Sequence, residues 1–375
     1  MDRSYWGRWM SQTSYRFVRV SRATGYELGN VRVLSGGTIT RNDDTRIKES
    51  AEATMAEPYD FGPDLVRAYL DARWPDGTVA SEPLGTFIPV VPSRSIEGAA
   101  SSYSLRMYGL LQELLDDKFA QPYTVSKGDN AVDVARRVCE AAGLTVVADE
   151  SSYAVTKMRT YGVGVEQNNS EVGDTKLDMV NDLLGLAGFR AACTDVLGRV
   201  RFERYRDPAD IAPAWDFEEG RNARFETSMT EERDYTTAAN HVVVRYGSLE
   251  DGDGRVIVGE AWDNDPASDL STASRGRTIT NSYSYSELPP GDSVSEMRNY
   301  ANGRAESLLR TAQSVIRRVT FTHAYAPVRV NDTLSLSYPT GGVEGKFQVR
   351  TQTLRLVGGC PTECEARIFR RRANG

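Results

Sequence analysis

Both ends of this chain carry short runs in which apolar and polar residues alternate. In residues 50–55 small or apolar side chains take every second position, and the same period returns in residues 66–70, before a Pro-Asp-Gly turn at 75–77. A period of two places one face of a strand inward and cannot form the buried stripe of a helix. Short strands with turns every 8–12 residues predict a β-barrel or β-sandwich over about 1–120.

Helical patterns lie between the two β-rich ends. A helix capped by Asp129 or Asn130 should end at Gly143, and a second, capped by Asp174, should end at Gly188. Asp and Asn accept hydrogen bonds from free N–H groups at a helix start, and glycine ends helices. Short strands follow both helices, so the middle of the chain is predicted to be α+β and not doubly wound.

Charge is spread unevenly along the 375 residues, whose net charge is −7. Residues 1–50 hold nine Lys or Arg against five Asp or Glu, and residues 301–375 hold twelve against five, which leaves an acidic middle. An acidic middle disfavours a protein that binds duplex DNA through a basic face. Only six of the 45 basic residues are Lys. That preference fits a GC-rich genome, or subunit interfaces at which guanidinium groups bind carboxylates.

No run approaches the roughly 18 apolar residues of a membrane-spanning helix. The first ten residues lack the apolar core of a signal peptide. We therefore expect a chain that is made and folded in a cytoplasm and has no membrane-spanning segment.

Catalytic motifs are missing from the sequence. His241 and His323 are the two histidines, and both lie in strand-like runs. Neither a G-x-S-x-G elbow nor an H-E-x-x-H motif occurs. The acidic pairs 116–117, 218–219 and 231–232 are sequence neighbours whose side chains point apart, whereas glycoside hydrolysis needs carboxylates that face each other. We expect no catalytic residue and no enzymatic activity.

Metal and cofactor motifs are incomplete. A calcium loop that begins at Asp251 would place Trp262 where its twelfth residue must be Glu, and Asp263, 265 and 269 fit a solvated loop. Cys360 and Cys364 lack the two further ligands of a zinc site; free thiols, a disulfide across the turn and a metal stay open as alternatives. The glycine pairs at 36–37 and 341–342 lack the lysine of a phosphate loop. We expect no metal and no cofactor.

Taken together, four stretches resemble the baseplate hubs, or tail-tip hubs, of long-tailed phages, including the N-terminal parts of tail-associated lysins and late-control proteins. They are SSYSL at 101–105 running to 119, YTVSKGD at 123–129 with its helix to 144, the 174–205 region with DVLGR at 195–199, and PVRVNDTL at 327–334 with GKFQV at 345–349. Asn331 stands where the family pattern has glycine, and Asn also tolerates left-handed backbone.

This resemblance implies a β-rich α+β fold with two tail-tube-like β-barrel domains that flank helix-containing α+β domains. The expected domains are a first tube-like barrel at 1–120, a small helix-containing domain at 121–160, an α+β domain at 161–235, and a second tube-like barrel at 236–375 with a helix at about 294–313.

It also implies a homotrimer at the virion's tail tip, assembled in the host cytoplasm, that adapts a hexameric tail tube to a threefold tip. The implied partners are the tail tube or distal tail protein, the tape measure protein and a tip, spike or fibre protein, with DNA as a passing cargo of the channel. A contractile injection system would fit the same pattern.

One stretch supports an alternative function. Residues 123–129 also look like the opening of a LysM module, which binds glycan. The alternative is therefore a peptidoglycan-binding or hydrolytic tail component that acts on the host cell wall.

Overall fold

The computed structural model describes residues 3–34, 36–98, 100–162, 175–233, 238–247, 255–285, 288–314 and 317–368. Strands outnumber helices, and they form one sheet of thirteen strands and three small sheets. The predicted β-rich α+β class is confirmed.

Seven strands form the first unit, which covers residues 12–109. They are β1 (Gln12–Val20), β2 (Glu27–Val31), β3 (Thr38–Asn42), β4 (Glu49–Met55), β5 (Leu65–Arg73), β6 (Val79–Glu97) and β7 (Ala100–Gly109). Hydrogen-bonded neighbours follow the order β3-β4-β7-β6-β5-β1-β2. Val33 then bridges to Met55 of β4, and the Leu34 N–H donates to the Thr54 carbonyl at 2.7 Å. The path from β4 to β2 thus returns on itself, as a barrel requires.

The alternating residues that predict these strands also determine which side chains fill the interior of the ring. Ala51, Ala53 and Met55 are buried while Glu52 and Thr54 are exposed. The same ring interior holds Phe87 and Trp74, both at most 1% exposed. Burial of one such side chain contributes about 2–3 kcal/mol, so this apolar interior is what holds the ring closed.

Residues 112–162 and 175–202 form a middle unit, in which the structure describes three helices and five short strands. Its elements are α1 (Gln112–Asp116), β8 (Tyr123–Val125), α2 (Ala131–Ala141), β9 (Val146–Ala148), β10 (Arg159–Tyr161), α3 (Lys176–Leu186), β11 (Cys193–Thr194) and β12 (Val200–Phe202). Asn130 caps α2 by accepting from Val132 N–H at 3.0 Å. The N-cap of α3 is Thr175, whereas the predicted cap, Asp174, lies outside the described residues.

The remaining elements run to the C-terminal end. They are β13 (Trp215–Glu218), β14 (Phe225–Arg233), β15 (His241–Tyr246), β16 (Ile257–Trp262), α4 (Thr272–Arg275), β17 (Thr280–Tyr285), α5 (Val294–Ser314), β18 (Arg317–His323), β19 (Thr333–Tyr338), β20 (Val343–Arg355) and β21 (Thr362–Ile368). Strands β15 to β17 form a separate sheet, which packs on α5 around Val242, Ala301 and Ala305. We call residues 241–314 the inserted unit.

The second unit consists of β13, β14 and β18 to β21, which pair in the order β14-β18-β21-β20-β19-β13. Position by position this matches β3-β4-β7-β6-β5-β1 of the first unit, and the equivalent strands also follow the same order along the chain. Pairing is antiparallel at every shared step except one, because β13 runs parallel to β19 whereas β1 runs antiparallel to β5. The chain therefore contains one strand topology twice, with the inserted unit between β14 and β18.

The two units share a sheet. Residues 351–355 of β20 pair antiparallel with β3, so that Thr351 lies opposite Asn42 and Arg355 opposite Thr38. The thirteen-stranded sheet is the sum of both units joined at this seam.

The predicted boundaries at residues 120, 160 and 235 stay predictions, but strand pairing groups the residues differently. Strands β13 and β14, at 215–233, pair with β19 and β18, so we group them with the second unit. Residues 241–314 have their own sheet and core. Both predicted middle domains contribute to one core, which contains Val132 and Phe202.

Gly259 allows α5 to approach the inserted sheet. A Cβ at Gly259 would lie only 2.6 Å from the backbone nitrogen of Asn302, and α5 backbone cannot give way as a side chain can. We expect Gly259→Ala to destabilise the inserted unit by at least about 2 kcal/mol. The matched control is Gly303→Ala, at an exposed helix position with open space around it, which should stabilise by about 0.5–1 kcal/mol. Hydrogen exchange of β16 peptides in urea measures both, and equal effects would contradict the close approach.

Candidate functional site

Buried charges meet where the two units join. Glu49 of β4 is 5% exposed and accepts a short hydrogen bond from Arg329, while Arg41 of β3 lies with its Nε 3.7 Å from the Glu49 carboxylate. Arg329 also donates to the Thr194 carbonyl at 3.2 Å. One carboxylate thus connects β3 and β4 of the first unit to the second and middle units.

Arg41 extends this network across the seam. It is 4% exposed, donates to Gln352 Oε1 at 3.3 Å and also donates to the Leu84 carbonyl. Gln352 in turn donates to the Val328 carbonyl at 3.1 Å. Burial and, to a smaller extent, the nearby guanidinium of Arg329 lower the pKa of Arg41 to about 10, while Glu49 opposes this shift. We call Arg41, Glu49, Arg329 and Gln352 the charged junction.

A second set of ion pairs lies beside the junction, at the turn between β3 and β4. Arg350 contacts Asp43 at 2.6 Å and Asp44 at 2.5 Å, and Arg367 contacts Asp44 at 2.9 Å. Partial burial works to raise the pKa of Asp44, but the two guanidinium groups outweigh it and hold that pKa below its ordinary value. The turn of the first unit is therefore bound to β20 and β21 of the second.

Asn331 completes this contact. Its backbone has φ of 73°, the left-handed region that the sequence predicts for this position. Its side-chain amide donates to Asp43 at 2.8 Å. A glycine could take the same backbone angle but could not make this hydrogen bond, which explains Asn at this position.

Both histidines contact neighbouring strands and rings, and His241 Nε2 also lies 3.7 Å from the Glu260 carboxylate. His323 is 1% exposed, its Nδ1 lies 2.7 Å from the Ala324 carbonyl oxygen, and its ring centroid lies 4.8 Å from that of Phe217. Burial lowers its pKa to about 4. His241 stacks on Trp262 at 3.5 Å and contacts Thr280 at 2.9 Å, the two residues that lie opposite it in the sheet.

The adjacent acidic residues serve different partners. Glu231 pairs with Arg317, while Glu232 pairs with Arg318 at 2.8 Å. Asp117 pairs with Lys176. These carboxylates bind neighbouring strands and helices, and the structure does not bring them together.

The acidic loop after β16 is held by its own hydrogen bonds. Asp263 is 4% exposed and accepts from Ser268 at 2.7 Å and Gln313 at 2.8 Å. Asp265 accepts from the Ala267 N–H at 2.9 Å. The calcium loop considered from Asp251 falls partly outside the described residues. Among those that are described, no group of three His, Cys, Asp or Glu side chains could hold a metal ion.

Cys360 and Cys364 are both buried free thiols. Cys360 packs in the core of the first unit and Cys364 in the core of the second. The two side chains thus enter different cores, and no disulfide joins them in this structure. Burial raises the pKa of Cys360 to about 11, so its thiol stays protonated.

One cavity of about 370 Å³ lies between α3 and the inserted unit, and Asp182, Tyr246, Tyr300 and Arg304 line it. Asp182 is already bound by Arg159 at 2.8 Å and by the Tyr161 hydroxyl at 2.6 Å. Burial raises the pKa of Tyr300. The cavity therefore presents the ion-paired Asp182 together with phenols whose ionisation burial disfavours.

Sequence reasoning missed the edges of the large sheet. In the described chain β14 pairs only with β18, and β6 beyond Phe87 pairs only with β7. Residues 93–98 are exposed, and Ile96 is 65% exposed. Such edges carry free N–H and C=O groups that can pair with another chain. The alternating pattern predicts strands but cannot say which one has a neighbour.

No helix within the described ranges is long and apolar enough to cross a membrane.

The charged junction can be tested with a pair of neighbouring glutamates. Glu49→Gln removes the carboxylate beside the buried guanidinium of Arg41 and the partly buried guanidinium of Arg329, and we expect it to lower the free energy of unfolding by about 3 kcal/mol. Glu52→Gln, on the same strand, removes a carboxylate whose side chain is 67% exposed and lies 3.7 Å from Arg106; it should change stability by less than about 0.5 kcal/mol. Urea unfolding with hydrogen exchange at β3 and β20 measures both. Similar losses would show that the junction does not hold the units together.

The low pKa of His323 predicts that the folded protein loses stability in acid. The unfolded chain binds a proton at this side chain below about pH 6.5, whereas the folded chain resists until about pH 4. Folding is therefore disfavoured as the pH falls from 6.5 to 4, by up to about 3 kcal/mol. Relative to the parent, His323→Leu should lack this part of the pH dependence. Val319→Ala, in the same core, should lower the free energy of unfolding by the same amount at pH 6.5 and at pH 4. If the stability of the unsubstituted protein and that of His323→Leu changed with pH in parallel, the assignment of this acid sensitivity to His323 would be wrong.

The sequence matches no protein-family profile and no curated protein. Solved structures do match over nearly the whole chain. The tail protein from Neisseria meningitidis MC58 aligns with a TM-score of 0.63 and 14% identity, covering 94% of this chain and 96% of the other.

Two prophage proteins match similarly. The 43 kDa tail protein of prophage MuSo2 from Shewanella oneidensis aligns with a TM-score of 0.59 and 10% identity, covering 96% and 97% of the two chains. Prophage tail protein gp18 from Listeria monocytogenes EGD-e aligns with a TM-score of 0.54 and 11% identity, covering 96% and 95%. The chain therefore has the fold of phage and prophage tail proteins, the group that the four sequence stretches resemble.

Proposed function

We propose that this chain is a structural component of a phage tail, and that three copies form the hub at the tail tip. The observation that carries the proposal is the repeated strand topology. Two equivalent units in each chain give six in a trimer, the number needed to face a hexameric tube. A surface that appears once per chain, such as the inserted unit, would at the same time present threefold symmetry to a tip, spike or fibre.

The proposed mechanism is geometric rather than chemical. The charged junction and the β20·β3 seam keep the two units of each chain in one orientation, as a ring with evenly spaced units requires. The histidines are held in packing or strand contacts, and Asp117, Glu219, Glu231 and Glu232 of the acidic pairs are engaged in ion pairs or hydrogen bonds. These features favour a scaffold over an enzyme.

The ring would enclose the channel through which DNA leaves. The acidic middle of the sequence supports this part of the proposal, because like charge keeps passing DNA from binding. The proposed location is the virion, with assembly in the host cytoplasm, and the proposed neighbours are the tube or distal tail protein, the tape measure protein and a tip protein.

The LysM-like stretch has a structural role that accounts for its residues. Val125 is buried and Tyr123 packs against the middle core, while Asp129 accepts from the Ser126 N–H at 2.9 Å. Glycan binding through this stretch stays an alternative. Its test is retention of the purified chain on cell-wall sacculi, with clearing of a sacculus suspension as the readout for hydrolysis.

Mass photometry and negative-stain imaging of the full chain test the hub itself. We expect particles of three times the 41.5 kDa chain mass and rings with six similar lobes. A chain that stays monomeric at every concentration, and also within tail particles, would overturn the proposal. So would clearing of sacculi that a single carboxylate substitution abolishes.

A further inference from the structure

The seam inside one chain provides a template for the contact between chains. Along one edge, β20 pairs first with β19, through Gln348, and then with β3 through residues 351–355. Its other edge is occupied by β21, and the register of that pairing shifts between Val349 and Thr351. After this register shift, β20 therefore extends beyond its own unit. Its residues 351–355 pair with β3, the end strand of the first unit.

The equivalent strand of the first unit is β6, and it has the same design. One edge pairs with β5 as far as Phe87, and the other pairs with β7, with a register shift between Val90 and Ser93. Five residues, 93–97, follow the shift. In the described chain no strand pairs with their outer edge, and all five are exposed. Pro92, which has no N–H to donate, falls within the irregular segment and not within these five residues.

The equivalent of β3 is β14, and among the described strands only β18 pairs with it. It ends the path of the large sheet, and residues 229–233 pair regularly with β18 on their inner edge. Thr230 and Glu232 are exposed. Within the described residues, each copy thus has one unpaired edge segment of the β20 type, in the first unit, and one of the β3 type, in the second unit.

We propose that residues 93–97 of one copy pair antiparallel with residues 229–233 of the next, as 351–355 pair with β3 within each chain. The inference rests on the proposed hub and names the surface through which its copies bind one another. Repetition of the seam would satisfy both free edges and continue the sheet from copy to copy.

The register of the template also matches charges. In the pairing of β20 with β3, the first residue of one segment lies opposite the last residue of the other. Applied to residues 93–97 and 229–233, the same register places Arg94 opposite Glu232. Opposite charges at such cross-strand positions stabilise a sheet. Glu232 keeps its intrachain partner Arg318 at 2.8 Å, yet its side chain is 59% exposed and can accept from a second guanidinium.

Disulfide trapping tests the pairing directly. The same register places Ile96 opposite Thr230, and both are exposed. The full-length double variant Ile96→Cys with Thr230→Cys should form dimers and trimers on mild oxidation. Val79→Cys with Thr230→Cys is the matched control, because Val79 is on the same strand with 62% exposure but at its far end. We expect about tenfold more cross-linked product from the first pair, since a disulfide needs Cα atoms within about 7 Å.

A charge exchange gives a second readout without new thiols. Arg94→Glu should reduce the trimer fraction, and Arg94→Glu with Glu232→Arg should restore part of it. Trimers that form without selective 96–230 cross-linking would overturn the edge pairing and leave the hub intact. A chain that never self-associates would overturn both.

Discussion

Glu49 places one negative charge between the guanidinium groups of Arg41 and Arg329, inside the protein and at the point where three units meet. A buried carboxylate is costly unless it is paired, and so is a buried guanidinium. Each group therefore depends on the others, and separating the units would leave charges unpaired. The five backbone pairings between β20 and β3 run beside this cluster. Charge fixes where the units meet, and the strand ladder fixes their relative orientation.

Local chemistry made part of the fold predictable. Alternation in residues 50–55 predicts β4, and Asn130 predicts the start of α2, because each signal acts over a few residues. The pairing of β13 and β14 with the last strands was not predictable, since the 83 residues between Arg233 and Arg317 place the partners far apart in sequence. Periodicity gives the face of a strand but not its neighbour, so it could not show that residues 215–233 pair with the last strands.

The functional surfaces were still less accessible to sequence. Nothing in the sequence distinguishes Arg94 and Glu232 from other charged residues, and only the sheet order shows that both lie on strand edges without a described partner. The abundance of Arg suggests either genome composition or subunit interfaces. In the fold, Arg41, Arg329 and Arg350 join parts of the same chain. The guanidinium fork thus serves an interface, but the one between repeated units.

The inserted unit lies between β14 and β18, where the first unit has only the short turn from β3 to β4. An ancestral pair of identical repeats could exchange places without consequence; this pair cannot, because only one repeat carries the extra 74 residues of 241–314. Around a closed ring of six units, the insertion would occur in every second unit, so the repeating element of the ring would be two units instead of one. In the proposed trimer, this one insertion would be sufficient to convert sixfold geometry into threefold geometry, and a partner could distinguish alternate units by the presence of the inserted residues.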